Sequence, residues 1–488
     1  MPRETKHYRN VNENPCNMCM PMGGILPFKG IEDAMVIIHG SQGCSTYMRR
    51  HIAEHYNEPI DVGSSSLNEK GTIYGGSQNL FQALDNIRKV YKPRLIGILT
   101  SCLAETIGED VEGIARDYLK QRGLDDFPLV AVSTPGYGGT HSEGYWLAVK
   151  KTVVALARPT EKHDGINVIV PNLSPADIRE IKRILELMDI KYTLLPDISE
   201  TLDRPIARPY TKIPPGGTKV EAIRRMPGAA ATIQFGITVE ENVSPGRYLQ
   251  SQFGVPLYNL PVPMGVEATD MFVGLLAGLA GGSVPKTLEL ERGRLLDCMV
   301  DSHKYNAQGR GAVFGDPELV YAVVRTCAEN GLYPAVVATG SGNTGLEDLL
   351  EPVLADCPGE VRFHNETDFA QIRTTCRETG VNIAIGHSDG KYLTEKEGIP
   401  LARMGFPIHD RVGGQRLLSV GYTGTTMFLD RITNTLLEYK HKNYRAAMYR
   451  KFYRNTGIEE RGHTSLMGQA FGSEECPQLI PVLRGELR

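Results

Sequence analysis

Residues 34–43 read AMVIIHGSQG, and this short stretch shows the pattern on which the fold prediction is built. Its apolar run is typical of a buried strand, its glycine-rich end is typical of a loop, and residues with helical periodicity follow. The same order recurs in eight further runs, at residues 93–102, 128–139, 165–175, 229–236, 255–265, 333–343, 381–390 and 399–411. Strands that alternate with helices form parallel βαβ units with helices on both faces. Because one doubly wound sheet rarely holds so many strands, we predict an α/β protein built from several Rossmann-like domains.

Polar breaks in this pattern suggest where the domains end. Residues 156–165, LARPTEKHDG, are polar and contain a proline and a glycine, as linkers often do. A second break near residue 300 precedes GRGAVFGDPELV. We therefore predict Rossmann-like domains over residues 1–160, 161–300 and 301–440. The basic and aromatic tail, residues 441–488, is predicted to be an arm that contacts another subunit, with a solvated terminal helix as the alternative.

Composition excludes several classes of partner. The chain has 488 residues, a formal net charge of -4 and an isoelectric point near 6.3. Charge of one sign does not dominate any long stretch, which argues against binding to nucleic acid or to an anionic membrane. The N-terminal residues MPRETKHYRN lack the apolar centre of a signal peptide, and no apolar run is long enough to span a bilayer. These observations predict a cytoplasmic location and no membrane partner.

The cysteines are concentrated near the N-terminus. Nine cysteines in the chain are too few for a disulfide scaffold, and four of them lie in the first 102 residues: Cys16, Cys19, Cys44 and Cys102. Cys44 and Cys102 directly follow predicted strands, at the end where parallel sheets bind ligands. Small residues around Cys19, Cys44 and Cys102 would let the backbone approach an inorganic cluster.

Three thiolates do not complete a tetrahedral zinc site or a four-iron cluster. Either Cys16 supplies a fourth ligand or another chain does. Two other interpretations stay open at this point. Each cysteine could be an inert buried thiol, or Cys16 and Cys19 could form part of a zinc-stabilised binding protein.

Longer segments around these cysteines resemble the β-type subunit of nitrogenase component 1. The similar segments are CMPMGGILPFKGIEDAMVIIHGSQGC (19–44), SCLAETIGEDV (101–111), STPGYGGTHSEGY (133–145), GIPLARMGFPIHDRVGGQR (398–416) and GYTGTT (421–426). The resemblance covers roughly residues 14 to 440 in family order. It implies three Rossmann-like domains with parallel sheets and an α2β2 complex with an α-type subunit. It also implies that Cys19, Cys44 and Cys102 bind an iron–sulfur cluster shared with that partner, either a P-cluster-type 8Fe-7S cluster or a 4Fe-4S cluster.

The resemblance also implies a role in electron transfer. In the family, an ATP-dependent iron protein docks over the cluster, and electrons reach a cofactor held by the α-type subunit. Gly405 stands where we align the histidine that holds this cofactor, so this chain is not expected to bind it. The activity would be that of a nitrogenase or of a nitrogenase-like reductase such as methylthio-alkane reductase. The alternative is the N-type scaffold subunit on which the iron–molybdenum cofactor of nitrogenase matures.

Two residues depart from the pattern of molybdenum nitrogenase. Gly136, in STPGYGG, replaces a serine that can ligate the oxidised cluster, and glycine has no side chain with which to do so. Cys16 is an addition relative to many catalytic β-type subunits. We predict that Gly136 lies beside the cluster and treat Cys16 as a possible further ligand.

Overall fold

Parallel strands form three separate sheets in the computed structural model, which describes residues 16–206, 208–342 and 344–453. The sheets have four, four and five strands, and every pairing within them is parallel. Helices flank the sheets. This architecture confirms the predicted α/β fold with three Rossmann-like sheets. Within the described residues, no helix has both the length and the apolar character needed to cross a bilayer.

The first sheet contains the segments that carry the predicted cluster cysteines. Its strand order is β2-β1-β3-β4, and β1 and β3 are buried along their whole length. Burial on both faces is normal for parallel strands covered by helices. The strands are β1 (Ala34–His39), β2 (Gly63–Ser64), β3 (Leu95–Thr100) and β4 (Leu129–Val132). The helices are α1 (Met20–Lys29), α2 (Gln42–Tyr56), α3 (Glu69–Tyr74), α4 (Ser77–Tyr91), α5 (Cys102–Thr106), α6 (Val111–Arg122) and α7 (His141–Leu156).

The second sheet has the same kind of connectivity, with strand order β6-β5-β7-β8. Its strands are β5 (Ile166–Ile169), β6 (Tyr192–Leu195), β7 (Thr232–Phe235) and β8 (Leu257–Leu260). The accompanying helices are α8 (Pro175–Leu187), α9 (Val220–Arg225), α10 (Pro245–Phe253), α11 (Val266–Ala280) and α12 (Lys286–Asn306). A short 3-10 helix covers Met226–Gly228.

The third sheet has strand order β11-β10-β9-β12-β13. Its strands are β9 (Arg310–Phe314), β10 (Tyr333–Ala338), β11 (Arg362–His364), β12 (Ile383–Gly386) and β13 (Leu401–Arg403). The helices are α13 (Pro317–Glu329), α14 (Leu346–Leu354), α15 (Phe369–Thr379) and α16 (Lys391–Glu397), with 3-10 helices at Ser388–Gly390 and Gly414–Arg416.

All nine predicted runs contain a strand, but the structure adds four strands that the pattern did not predict. These are β2, β6, β9 and β11. Strand β9 is the central strand of its sheet, although its apolar part is short and its first residue, Arg310, is exposed. The remaining three are edge strands, which have less apolar surface to bury and therefore a weaker sequence pattern.

The described chain divides into one compact unit that ends at Leu436 and a second that begins at Leu437. Helix α17 (Gly421–Tyr453) includes residues of both units. The predicted arm, residues 441–488, is therefore helical as far as Tyr453, and its remainder, 454–488, lies outside the described residues. Each of the three sheets falls inside one of the predicted domain ranges, and the boundaries themselves stay a prediction.

Candidate functional site

Close packing of two helices determines the position of Cys19. Cys19 is the N-cap residue of α1, and it pairs with Thr140, the N-cap residue of α7, in an isolated antiparallel bridge. The two helices meet at glycines. A Cβ on Gly23 would lie 1.7 Å from the His141 carbonyl oxygen, and one on Gly144 would lie 2.0 Å from the Met20 oxygen. Side chains at these positions would force the helices apart, so both glycines are needed to hold Cys19 in place.

Cys44 and Cys102 lie at one edge of the first sheet, as the sequence predicted. Strands β1 and β3 pair directly, and Cys44 and Cys102 follow their carboxyl ends at the starts of α2 and α5. Parallel strands end at the same sheet edge, so their following loops are neighbours. The Ser41 hydroxyl donates to the Cys44 Sγ across 3.6 Å. Cys44 is half-buried and Cys102 is exposed.

Gly136 lies between two of the thiols. Its backbone N–H donates to the Cys102 Sγ at 3.2 Å. A Cβ on Gly136 would be 2.9 Å from the Cys19 Sγ and 3.0 Å from the Cys102 Sγ. Burial, with smaller contributions from the charges of Cys102 and then Cys44, raises the pKa of the Cys19 thiol to about 11. The structure therefore brings together Cys19, Cys44, Cys102 and Gly136.

Cys16 does not join this group. Its side chain is 2% exposed, and its Sγ lies 3.6 Å from the His387 Nε2. It packs among buried residues of the third sheet and its helices, including Phe314 of β9 and Phe369 of α15. Burial raises the pKa of its thiol, and the nearby carboxylates of Asp389 and Asp316 raise it further. The two cysteines of the C-x-x-C pair thus have separate surroundings, so the structure does not support a zinc site built on both.

The arrangement of the three thiols suits a group larger than a single metal ion. Within the described ranges, no set of three or more His, Cys, Asp or Glu side chains is positioned to hold one metal ion. Iron–sulfur clusters take thiolate ligands and accept backbone N–H groups close to their sulfurs. The sulfurs of Cys19 and Cys102 flank Gly136, where the missing side chain leaves room for such a group. The exposed thiol of Cys102 leaves one side of the group open to ligands from elsewhere.

A cleft of about 790 Å³ begins beside Cys19 and extends to the third sheet. Its walls come from loops that follow the carboxyl ends of β4, β10, β11, β12 and β13, together with parts of α2 and α7 and residues 17–19. We call this space the Asp389 cleft. The residues that line it include Tyr47, His51, Tyr137, Glu143, Gly340, Glu366, Asp389, Lys391 and His409.

Sequence reasoning did not identify the Asp389 cleft. The sequence did contain a signal for it. Asp389 lies in the loop part of the run 381–390, and ligands bind beyond the carboxyl ends of parallel strands. The sequence could not reveal that the loops at the carboxyl ends of the third sheet's strands lie close to Cys19.

Comparison with known proteins identifies the family of the chain. The sequence profile of the family described as nitrogenase component 1 type oxidoreductase matches residues 19–437. The molybdenum-iron protein beta chain of Clostridium pasteurianum nitrogenase is 34% identical over 440 residues, which cover 90% of this chain and 96% of that protein. The vanadium-iron protein beta chain of Trichormus variabilis is 32% identical over 446 residues, covering 88% and 95%.

Solved structures give the same result. A structure described as "Nitrogenase Cp1 at pH 6.5" superposes with a TM-score of 0.84 at 34% identity, covering 90% of this chain and 96% of that one. The profile match, the identity to complete β chains and this superposition all concern nearly the whole length of the chain. The chain therefore belongs to the nitrogenase component 1 type oxidoreductase family and is similar, within it, to the β chains of the molybdenum-iron and vanadium-iron proteins.

Proposed function

We propose that this chain is the β-type subunit of a nitrogenase-like α2β2 complex and that it supplies half the ligands of an iron–sulfur cluster at the interface with an α-type subunit. The complex would take electrons from an ATP-dependent iron protein and reduce a substrate at a cofactor held by the α-type subunit. The reaction would be that of a nitrogenase or of a nitrogenase-like reductase such as methylthio-alkane reductase. When bound, a P-cluster-type group supplies electron transfer.

The observation that carries the proposal is that Gly136 lies beside the sulfurs of Cys19 and Cys102, with Cys44 near enough for its charge to raise the pKa of Cys19. Cys19, Cys44 and Cys102 come from three separate segments, and Gly136 from a fourth. A buried thiol of purely structural use needs no second thiol beside it. Three thiols with one open side match what a shared cluster requires from one of its two chains.

Each residue of this group has a definite task in the proposal. Cys19, Cys44 and Cys102 would be the ligands, and they must lose their protons on binding. Burial, and repulsion from Cys102 and Cys44, raise the pKa of Cys19, so the Cys19 thiol keeps its proton until a positively charged group binds. The N–H of Gly136 would donate to the sulfur of Cys102, and hydrogen bonds of this kind tune the reduction potential of a bound cluster.

The proposal is tested by removing two of the ligands in the complex that the chain forms with its co-expressed α-type partner. We expect Cys44→Ala and Cys102→Ala each to lower the iron content per complex and to change the EPR signal. Cys327→Ala is the matched control, because Cys327 is fully buried among apolar residues and has no other thiol beside it in the described structure. Iron content and EPR signal that stay unchanged in both ligand variants would show the assignment to be wrong.

A second measurement identifies the reaction. The complex is combined with its iron protein, and reduction of N2, acetylene and a methylthio-alkane is measured. The similarity to β chains of two catalytic nitrogenases favours turnover of at least one of these substrates. No turnover, together with transfer of a cofactor precursor from the complex to a nitrogenase lacking its cofactor, would instead identify the scaffold role.

A further inference from the structure

We propose that the Asp389 cleft is a binding site for a small organic cation, whose protonated nitrogen is held by the carboxylate of Asp389. The cleft lies where open parallel sheets bind ligands, beyond the carboxyl ends of their strands. Its volume of about 790 Å³ is within the range of small-molecule sites. The cleft adjoins the thiol group, because Cys19 and Gly136 also line it, but the inference uses none of the thiols as ligands.

The first argument is the unbalanced charge of Asp389. The residue is 4% exposed, yet it forms part of the cleft wall. Its one ion-pair contact in the described structure is with the His387 Nδ1 at 3.7 Å, which is longer than a hydrogen bond. That ring nitrogen is itself without a hydrogen-bond partner. Burial of a carboxylate without hydrogen bonds or a counter-ion costs free energy. A cation bound in the cleft would offset that cost.

The chain's own cation in the cleft does not fill this role. Lys391 lines the cleft, but its Nζ lies over the ring of Tyr392, 5.8 Å from the centroid, and is not within ion-pair distance of Asp389. Glu366, which is exposed on the same wall, adds a second negative charge. The balance of charge in the cleft therefore favours a positively charged ligand.

Other side chains fit an organic cation better than a metal ion. Within the described part of the chain, no set of three ligating side chains is arranged to hold a metal. Tyr47 and Tyr137 line the cleft with exposed rings, and aromatic faces attract ammonium and guanidinium groups. His51 and His409 each have a ring Nδ1 that lacks a hydrogen-bond partner. Both histidines line the cleft, so these nitrogens are available to the N–H groups of a ligand.

The test uses protonated n-butylamine as the probe, with butyrate and 1-butanol as anionic and neutral controls of the same chain length. Binding is measured by ligand-observed NMR titration on the full-length chain in the complex with which it purifies. We expect butylammonium to bind and the two controls to bind more weakly. Asp389→Asn should weaken butylammonium binding by roughly ten- to a hundredfold, since a charge-assisted hydrogen bond is lost. Asp126→Asn, an exposed change outside the cleft, should leave binding unchanged.

Glu366→Gln serves as a second variant if Asp389→Asn does not fold, because Glu366 is exposed and its replacement disturbs no buried group. We expect it to weaken binding about two- to threefold, as removal of a solvent-screened charge does. Equal affinity for the three probes, or unchanged affinity in the Asp389→Asn and Glu366→Gln variants, would overturn the proposal. So would binding to the isolated chain that disappears in the complex, because the cleft would then be a subunit contact. Iron content measured on the same samples keeps this result separate from the cluster assignment.

Discussion

The backbone N–H of Gly136 donates a hydrogen bond to the Sγ of Cys102 at 3.2 Å. This contact joins the loop after β4 to the start of α5, two segments that are 34 positions apart in the chain. It exists because residue 136 has no side chain: a Cβ there would overlap the sulfurs of both Cys19 and Cys102. The smallest residue of the site therefore controls how closely the backbone approaches the thiols.

A side chain at position 136 should displace the thiols. A Cβ at 2.9 Å and 3.0 Å from two sulfurs is closer than van der Waals contact permits, so Gly136→Ala must move Cys19, Cys102 or the loop. We expect a lower iron content and an altered EPR signal in the purified complex. Gly274→Ala is the control, because a Cβ on Gly274 meets no atom within 4 Å. Full iron content and an unaltered signal in Gly136→Ala would show that a Cβ at this position does not displace the thiols.

Replacing Cys16 should affect stability and not iron content. Its thiol lies against His387 within the third sheet, away from the group around Gly136. We expect Cys16→Ala to retain its iron and to lower the free energy of unfolding by about 1 kcal/mol, a typical cost for a small buried change. Cys19→Ala, three residues later, should lose iron. Iron analysis and chemical denaturation measure the two effects, and equal loss of iron from both variants would make Cys16 a ligand.

The glycine contact between α1 and α7 should be necessary for the site. Gly144→Ala places a Cβ 2.0 Å from the Met20 carbonyl oxygen, so α1 and its N-cap Cys19 must shift. We expect a loss of roughly 1–3 kcal/mol in stability, typical of overpacking, together with reduced iron.

The same substitution at an exposed helix position gives the comparison. Gly278→Ala in α11 meets no neighbouring atom and should stabilise that helix by about 0.5–1 kcal/mol. Thermal melts and iron assays of both variants separate helix propensity from packing. A Gly144→Ala variant as stable as the wild type would show that the two helices are not in close contact.

Glu318 should make stability depend on pH. Its carboxyl is 3% exposed and accepts hydrogen bonds from the N–H of Ile237 and from the N–H and hydroxyl of Thr238. Burial outweighs these bonds and raises its pKa from 4.5 to about 7. Because the folded state favours the protonated form, the contribution of Glu318 is greatest below pH 4.5 and is lost as pH rises toward 7.

Urea denaturation at pH 4.5, 6 and 8 checks this direction. The free energy of unfolding of the wild type, relative to Glu318→Gln, should fall over this interval by up to roughly 3 kcal/mol, the equivalent of the pKa shift. The difference in free energy of unfolding between the wild type and Glu347→Gln, an exposed change in α14, should not vary with pH. If the free energy of unfolding of the wild type, relative to Glu318→Gln, stays constant or rises with pH, the expected effect of burial is contradicted.

Much of the fold could be predicted because long apolar runs leave few alternatives. The stretch 34–43 became β1 and the start of α2, and the run at 93–102 became β3 with Cys102 at the next helix start. Strand β9 was not predicted because only a short apolar stretch follows the exposed Arg310. Its position at the centre of a sheet results from pairing with β10 and β12, which are distant in sequence.

The class of the fold and the local setting of Cys44 and Cys102 could be read from the sequence, since a thiol that follows a buried parallel strand must lie at the ligand-binding edge. Which thiols meet depends on tertiary packing. Cys16 and Cys19 are neighbours in sequence, but Cys16 is buried against His387 and Cys19 lies beside Gly136. Spacing along a chain limits how far apart two side chains can be and not which way they face. That direction depends on the packing of α1 against α7 and on the approach of the third sheet, which also forms the Asp389 cleft.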